Sequence, residues 1–244
     1  MQSDLAIVIL NYNTCHLLNT YLPSVVKHSN GYRIIFVDNA SKDESVNFVR
    51  ENYPQIEVIC LEENYGFTGG YNRALKQIKA KYYCLLNTDV EVTENWIEPI
   101  INLMEGDEKI AVCQPKLLSY TEKNKFEYAG AAGGFIDYLG YPFCAGRIFD
   151  TIEEDKGQYN EIQEIFWASG AAFFIRSELY HQFGGLDENY FAHFEEIDLC
   201  WRLKNEGYKI YCNPNSIVYH LGGGTLNKTS PFKTYLNFRN SLLT

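Results

Sequence analysis

The sequence predicts an α/β fold centred on a mainly parallel sheet. Three observations point there. Continuous apolar runs such as Leu5-Ala6-Ile7-Val8-Ile9-Leu10 read as strands buried on both faces. Stretches with apolar residues three and four apart lie between these runs, as crossover helices would. Each run ends in a polar or glycine-rich turn, and the ends of the strands are where open α/β sheets bind ligands.

The first run closes on Asn11-Tyr12-Asn13 and leads into a helix over about 15–28, with Leu17, Leu18, Leu22, Val25 and Val26 on one face. Arg33-Ile34-Ile35-Phe36-Val37 is the second strand and ends at Asp38-Asn39; Ser41 and Asp43 open a helix that holds Val46, Phe48 and Val49. A third strand over 56–61 precedes Glu62-Glu63-Asn64, and the glycine-rich stretch 66–70 starts a helix to about 79. Tyr82 to Leu86 is the fourth strand, ending at Asn87. Residues 1–92 therefore read β-α-β-α-β-α-β, a nucleotide-binding half.

Beyond residue 93 the strands become mixed. Thr93-Glu94-Asn95 caps a predicted helix over 94–105, and Ile110 to Leu118 is a strand. Residues 119–162 read as a long irregular loop, the place for acceptor specificity. A strand over 164–175, a helix near 177–183, a helix from 195 to 206 and two short strands, 209–212 and 216–220, complete the second half, 93–221. The reading is one domain over 1–221, followed at 222–244 by a glycine loop and the start of an amphipathic tail with Phe232, Tyr235, Leu236 and Phe238 beside Lys233 and Arg239.

The net charge of −10 offers no basic face, which excludes a nucleic-acid binder. An acidic protein that binds a nucleoside diphosphate needs a divalent cation or helix N-termini to offset repulsion. Seven cysteines, an odd number with no CxxC pair, read as the reduced thiols of a cytoplasmic protein rather than as disulfides or a zinc site. The chain starts directly in a strand with no signal peptide pattern, and no apolar run approaches the ~20 residues of a spanning helix.

Six polar elements carry candidate chemistry. Asn11 and Asn13 suit a turn or a nucleobase and ribose, and Asp38 with Asn39 can accept bonds from a base imide or ribose hydroxyls. Gly66, Gly69 and Gly70 permit close approach of backbone at a helix start, beside Asn72 and beside Arg73, whose charge can neutralise a phosphate. Asn87-Thr88-Asp89 is a turn or a hard-oxygen site for Mg²⁺ or Mn²⁺. Glu195, Glu196 and Asp198 crowd a predicted helix start among aromatics, where a carboxylate raised in pKa can act as a base. Asp198 and Arg202, spaced i,i+4, read as a supporting ion pair. His220, at a strand end before Gly222-Gly223-Gly224, is structural or a metal ligand.

In this order the elements resemble the family-2 glycosyltransferases of GT-A fold, especially the bacterial rhamnosyltransferase-like branch. The resemblance runs from Val8 to Asn240. It rests on Val37-Asp38-Asn39-Ala40-Ser41, Asn64 to Asn72, Asn87-Thr88-Asp89, Ser169-Gly170-Ala171 with Arg176, Gly184 to Glu188, and Phe194 to Arg202. It implies an inverting transfer of a sugar from a nucleotide-sugar donor to a hydroxyl of a glycan or lipid-linked acceptor, in bacterial surface polysaccharide assembly. It implies that Asn11 and Asp38 hold the nucleoside, that the 66–72 loop follows the diphosphate or sugar, and that Asp89 and His220 are the metal ligands. It assigns Glu195-Glu196 to the base pair, with Glu196 favoured, and Trp167, Gly170 and Ala171 to the acceptor side. Asn87 departs from the strict Asp-x-Asp pattern, and Glu196 stands where Asp is commoner. Peripheral contact of the tail with the inner face of a membrane would suit a lipid acceptor. A nucleotidyltransferase would want a glycine-rich, basic loop after the first strand, which is absent. A non-catalytic sugar- or nucleotide-binding module would not need the acids to be intact.

Overall fold

The structure, a computed structural model, describes residues 4–222 and 231–244. In the first strand, β1 (Leu5–Asn11), Leu5, Ile7 and Ile9 pack into one core and Ala6 and Val8 into another. That is the strict alternation of a strand buried on both faces. The same holds for β2 (Arg33–Asp38) and β4 (Tyr82–Leu86). The helices α1 (Cys15–His28), α2 (Ser45–Asn52) and α3 (Gly66–Leu75) connect β1, β2, β3 (Glu57–Cys60) and β4, and every pairing among these four strands is parallel.

The second half extends the same sheet. Its elements are β5 (Val90–Val92), α4 (Glu98–Gly106), β6 (Ile110–Ser119), β7 (Gly134–Ile136), β8 (Pro142–Cys144), β9 (Arg147–Ile148), β10 (Thr151–Ile152), β11 (Gln163–Ile165), β12 (Ala172–Arg176), α5 (Ser177–Gln182), α6 (Glu195–Asn205), β13 (Lys209–His220) and α7 (Pro231–Ser241). The nine-stranded sheet runs β11-β13-β6-β12-β4-β1-β2-β3, with β5 also paired to β13. β12 is antiparallel to both β4 and β6, so it joins the parallel half to the mixed half. Helices α1, α2 and α4 bury Leu18, Leu22, Val25, Val49, Ile100 and Met104 on one face of the sheet. On the other face α3, α5 and α6 bury Tyr71, Leu75, Leu179, Tyr180, Leu199 and Leu203. The α/β class and the mixed second half are as the sequence predicts.

Several boundaries differ, each for a local reason. The helix expected over 94–105 begins at Glu98, with Pro99 in its first turn and Asn95 at φ 58° before it; Thr93 Oγ1 donates to Ile217 O (2.7 Å) instead of capping. The strand expected over 164–175 is two strands, because Trp167 to Gly170 leaves the ladder and Ser169 N–H donates to Gln114 Oε1 (2.8 Å). The two last short strands are one, β13, whose register on β6 shifts between Asn213 and Ile217. The irregular stretch 119–162 contains two small antiparallel pairs, β7–β8 and β9–β10. It is pinned by Lys116, a buried lysine of β6 that donates to Asp155 Oδ2 (2.9 Å) and to Asn160 Oδ1. Of the glycine run that follows His220, residues 223 and 224 lie outside the described residues.

Candidate active site

Asn87-Thr88-Asp89 turns the chain from β4 directly into β5. β5 pairs antiparallel with the end of β13, Val90 opposite His220, and Leu221 N–H donates to Asp89 O (3.1 Å). This register delivers the imidazole: His220 Nε2 lies 3.1 Å from Asp89 Oδ1. The other ring nitrogen, Nδ1, lies 3.4 Å from Glu127 Oε1, a charge contact without the alignment of a hydrogen bond. Glu127 arrives there because the chain folds back after β6: Phe126 bridges Leu118, and Glu127 N–H donates to Leu117 O (3.1 Å). Asp89, Glu127 and His220 are 3%, 4% and 9% exposed, so the carboxylates act at low dielectric. Burial alone would lower the imidazole pKa. The charge and hydrogen bond of Asp89, with Glu127 behind, outweigh it and raise His220 to about 10.

The donor set fits a divalent cation. Asp89 offers a hard oxygen and His220 an adjacent imidazole nitrogen, while Glu127 stands against the second nitrogen as carboxylates do behind metal-bound histidines. Among the described residues no group of three or more His, Cys, Asp or Glu is placed to hold a metal by itself. A cation here would therefore complete its shell with phosphate oxygens and water. Glu127 was not singled out from the sequence. It is one of many acids in a polar stretch, and only the small residues after it, Ala129 to Gly134, hint at close approach of backbone.

At the ends of β1 and β2 the polar side chains form one network. Asn11 Nδ2 donates to Asp38 Oδ1 (3.0 Å) and Ser41 Oγ (2.9 Å), and Asp38 Oδ2 accepts Ser41 N–H (3.0 Å). Thr14 Oγ1 donates to Asn11 Oδ1 and approaches Thr88 Oγ1 at 3.2 Å, which links this network to the Asp89 turn. Asn13, at φ 56°, accepts Lys42 N–H on Oδ1 (2.7 Å) and thereby holds the two strand-end turns together. Asn39 ties in the third turn through Asn64 Oδ1 (3.0 Å) and Gly66 O (2.9 Å). Asn11, Asp38 and Asn39 are buried, so their orientation is set before any ligand arrives.

The start of α3 is a packing element more than an open cradle. Gly70 lies against the Leu10 side chain, and the N–H groups of Phe67 and Thr68 donate to Phe191 O (2.9 and 3.3 Å). Asn72, expected to contact the donor, binds Leu186 on both sides: Nδ2 donates to Leu186 O (2.7 Å) and Oδ1 accepts Leu186 N–H (3.1 Å) and Tyr180 O–H (2.6 Å). Arg73, expected to neutralise phosphate, pairs with Glu188 (3.0 Å) and lies 3.7 Å over the Tyr65 ring. Both contacts have one cause. The 184–188 turn folds onto α3 and captures the polar groups that the helical spacing had left facing outward. Of the expected i,i+4 pair on α6, Arg202 Nη2 bonds Asp198 Oδ2 (2.6 Å) and also Gly185 O (2.9 Å), bracing the same turn.

Glu195 and Glu196 open α6, preceded by Phe194 in the left-handed region at φ 75°. Glu195 is buried and Glu196 half-buried, and each has one carboxylate oxygen that meets neither solvent nor a hydrogen-bond partner. Burial, then the charge of Glu196, pushes the Glu195 carboxyl well above the usual carboxylate range. Burial raises Glu196 too, but the backbone N–H groups of Gly170 and Phe194 face its carboxylate and oppose the shift. Both carboxyls are therefore raised. A Cβ on Gly170 would lie 3.8 Å from Glu196 Oε1 and 3.6 Å from the Phe67 ring, so these three groups share one corner. Ala171 O accepts the N–H of Asn87 (3.0 Å), which joins the Gly170-Ala171 turn to the Asp89 motif. Trp167 is buried, with its ring on Gly134, where a Cβ would come within 2.1 Å, and its Nε1–H on Phe135 O (2.9 Å).

The family model described as "Glycosyl transferase family 2" matches residues 6–183. The chain is 22% identical over 251 residues to the low-salt glycan biosynthesis hexosyltransferase Agl10 of Haloferax volcanii, with all of this chain and 76% of that protein covered. It is also 22% identical, over 90% of this chain and 76% of the other, to the N-acetylglucosaminyl-diphospho-decaprenol L-rhamnosyltransferase of Mycobacterium tuberculosis. Among solved structures, GalNAc-T7 with UDP, GalNAc and Mn²⁺ superposes with a TM-score of 0.73 at 17% identity, a likeness of fold over 98% of this chain. The chain spans about half of that structure, 47% of its length.

Proposed function

Since the chain belongs to glycosyl transferase family 2, we propose that it transfers a sugar with inversion from a nucleoside-diphosphate donor to a hydroxyl of a glycan or lipid-linked acceptor. Glu196 takes the proton of the acceptor hydroxyl while its oxygen attacks the anomeric carbon, and the bond from that carbon to the diphosphate oxygen breaks on the opposite face. Asn11 and Asp38 orient the nucleoside. Asp89 and His220 would hold a divalent cation, Mn²⁺ or Mg²⁺. The bound cation supplies charge neutralisation of the leaving group. Glu195 keeps its proton and leaves Glu196 as the charged member of the pair.

The observation that carries this reading is the Gly170-Ala171 turn, which is bonded to Asn87 on one side and faces Glu196 on the other. One short turn thus touches both the turn that carries Asp89 and the Glu196 carboxylate, the two groups that the proposed transfer uses. Relatives named for low-salt glycan biosynthesis and for O-antigen biosynthesis support an acceptor in surface polysaccharide synthesis. Among the described residues no helix is long and apolar enough to cross a membrane. The outward rings of Phe232, Tyr235 and Phe238 on α7 offer a face for peripheral membrane contact, which flotation with anionic liposomes tests.

The deciding experiment is release of nucleoside diphosphate from a panel of nucleotide sugars, with Mn²⁺ and with EDTA. Turnover of one donor with Mn²⁺, lost in EDTA and in Glu196→Gln, is the expected result. A full rate in Glu196→Gln removes the base assignment. No turnover of any donor, with no thermal stabilisation by any, removes the function.

A further inference from the structure

The loop between Tyr190 and Phe194 is strained and joins the start of α3 to the start of α6. Phe191, His193 and Phe194 all sit in the left-handed region, at φ 64°, 71° and 75°. None of them is glycine, so each is held there by its surroundings. A loop so twisted cannot satisfy its own carbonyls by a regular ladder. Phe191 O turns to the start of α3 and accepts the N–H groups of Phe67 and Thr68. Phe194 O accepts Asp198 N–H (2.9 Å) inside α6.

The remaining carbonyls turn to α7. Asn240, fully buried, aims its side-chain amide at three of them: Tyr190 O (3.1 Å), Ala192 O (2.8 Å) and His193 O (2.6 Å). An amide has two hydrogens, so at least one is shared. Arg239 Nη2 adds bonds to Asn189 O and Tyr190 O (2.7 Å each), and Tyr190 O–H meets Thr244 Oγ1 (2.9 Å). Leu236, also buried, seats the helix beside them. Phe191 continues the connection inward, since its ring occupies the space where a Cβ on Gly66 would come within 2.5 Å.

We infer that α7 is a clasp on the loop that leads into the base helix, with Asn240 as its positioning residue. By supplying donors to Tyr190, Ala192 and His193, Asn240 holds the backbone twist that ends at Phe194, and so fixes where Glu195 and Glu196 leave the loop. The function of the clasp rests on Glu196 being the base. It gives the amphipathic tail a role apart from any membrane.

The test compares Asn240→Leu, which keeps the size and removes the donors, with Arg239→Met and Ser241→Ala in the full chain. Amide exchange is read over 189–196, and donor KM and kcat are read separately. The expected result for Asn240→Leu is at least tenfold faster exchange in that segment, a kcat lowered at least tenfold and a donor KM within twofold. Arg239→Met should give the same pattern more weakly, and Ser241→Ala none of it. Unchanged exchange over 189–196 in Asn240→Leu overturns the clasp. Faster exchange with unchanged kcat overturns its role in positioning the base. The failure of the underlying reading is seen elsewhere: Glu196→Gln at full rate removes the base, whatever exchange shows.

Discussion

His220 and Asp89 lie 131 positions apart in the chain and meet at 3.1 Å, because the last strand runs antiparallel to the three residues that follow the Asp89 turn. The contact is made by sheet register, and a one-residue slip of β13 would point the imidazole to the other face. Glu127 then closes the far side of the ring at 3.4 Å.

If this corner holds the cation, Glu127 acts through the ring. A carboxylate beside Nδ1 fixes the tautomer that leaves Nε2 facing the metal, and loss of such a partner costs 10–100-fold in metal affinity. Glu127→Gln should therefore weaken Mn²⁺ binding by about tenfold, with activity recovered at high Mn²⁺. Asp89→Asn should weaken it further and not recover. Direct Mn²⁺ titration by electron paramagnetic resonance checks both, and an unchanged affinity in Glu127→Gln would remove its role.

The two glutamates of α6 should respond differently to amidation. Loss of a general base costs on the order of 10²–10⁴ in rate, and Glu196→Gln should show it. Glu195→Gln resembles the protonated acid already present and should keep most of the rate. Because burial raises Glu196, the acid limb of kcat/KM should lie above the usual carboxylate range. The rate should fall as pH drops through that raised value, since the base must be ionised. Stability runs the other way. A carboxyl raised on folding binds protons more tightly in the native state, so its contribution declines as pH rises above the unfolded value. Glu195→Gln should thus raise the melting temperature at pH 8 and alter it little at pH 4.

The 184–188 turn should prove structural. Gly185 has φ 74°, and a Cβ there would lie 2.4 Å from Asn72 Oδ1. Gly185→Ala meets both backbone strain and a clash with a buried amide, at a cost of about 2–4 kcal/mol. Asn72→Leu loses the bonds to Leu186 and Tyr180 and should cost about 2–3 kcal/mol. Urea unfolding measures both. A donor KM that rises more than tenfold in a folded Asn72→Leu would show that this residue also contacts the donor.

His193 should make the protein acid-sensitive. Burial, with the Lys233 charge second, lowers its pKa to about 4. The unfolded chain takes up a proton near pH 6.5, before the native state does, so this contribution is complete above that value and lost as pH falls toward 4. The loss is at most about 3 kcal/mol. His193→Gln should flatten the decline in stability between pH 6.5 and 4, measured by urea unfolding at each pH. An identical decline in the variant would rule this histidine out.

The sequence by itself determined the parallel half of the sheet and the strand ends where polar residues gather. Continuous runs such as Leu5 to Leu10 can only be buried on both faces, and polar residues past their ends have only the C-terminal edge of the sheet to occupy. It also carried the crowding of Glu195 and Glu196 at a helix start, since adjacent residues are adjacent in any fold. The tertiary structure decided the partners of each side chain. Glu127 joins His220 because a loop folds back on β6, Asn72 turns to Leu186 because the 184–188 turn covers α3, and Asn240 reaches the loop before Glu195 because α7 docks there. These contacts join residues about 50 to 115 positions apart, and no local propensity or spacing encodes which loop will satisfy which buried polar group.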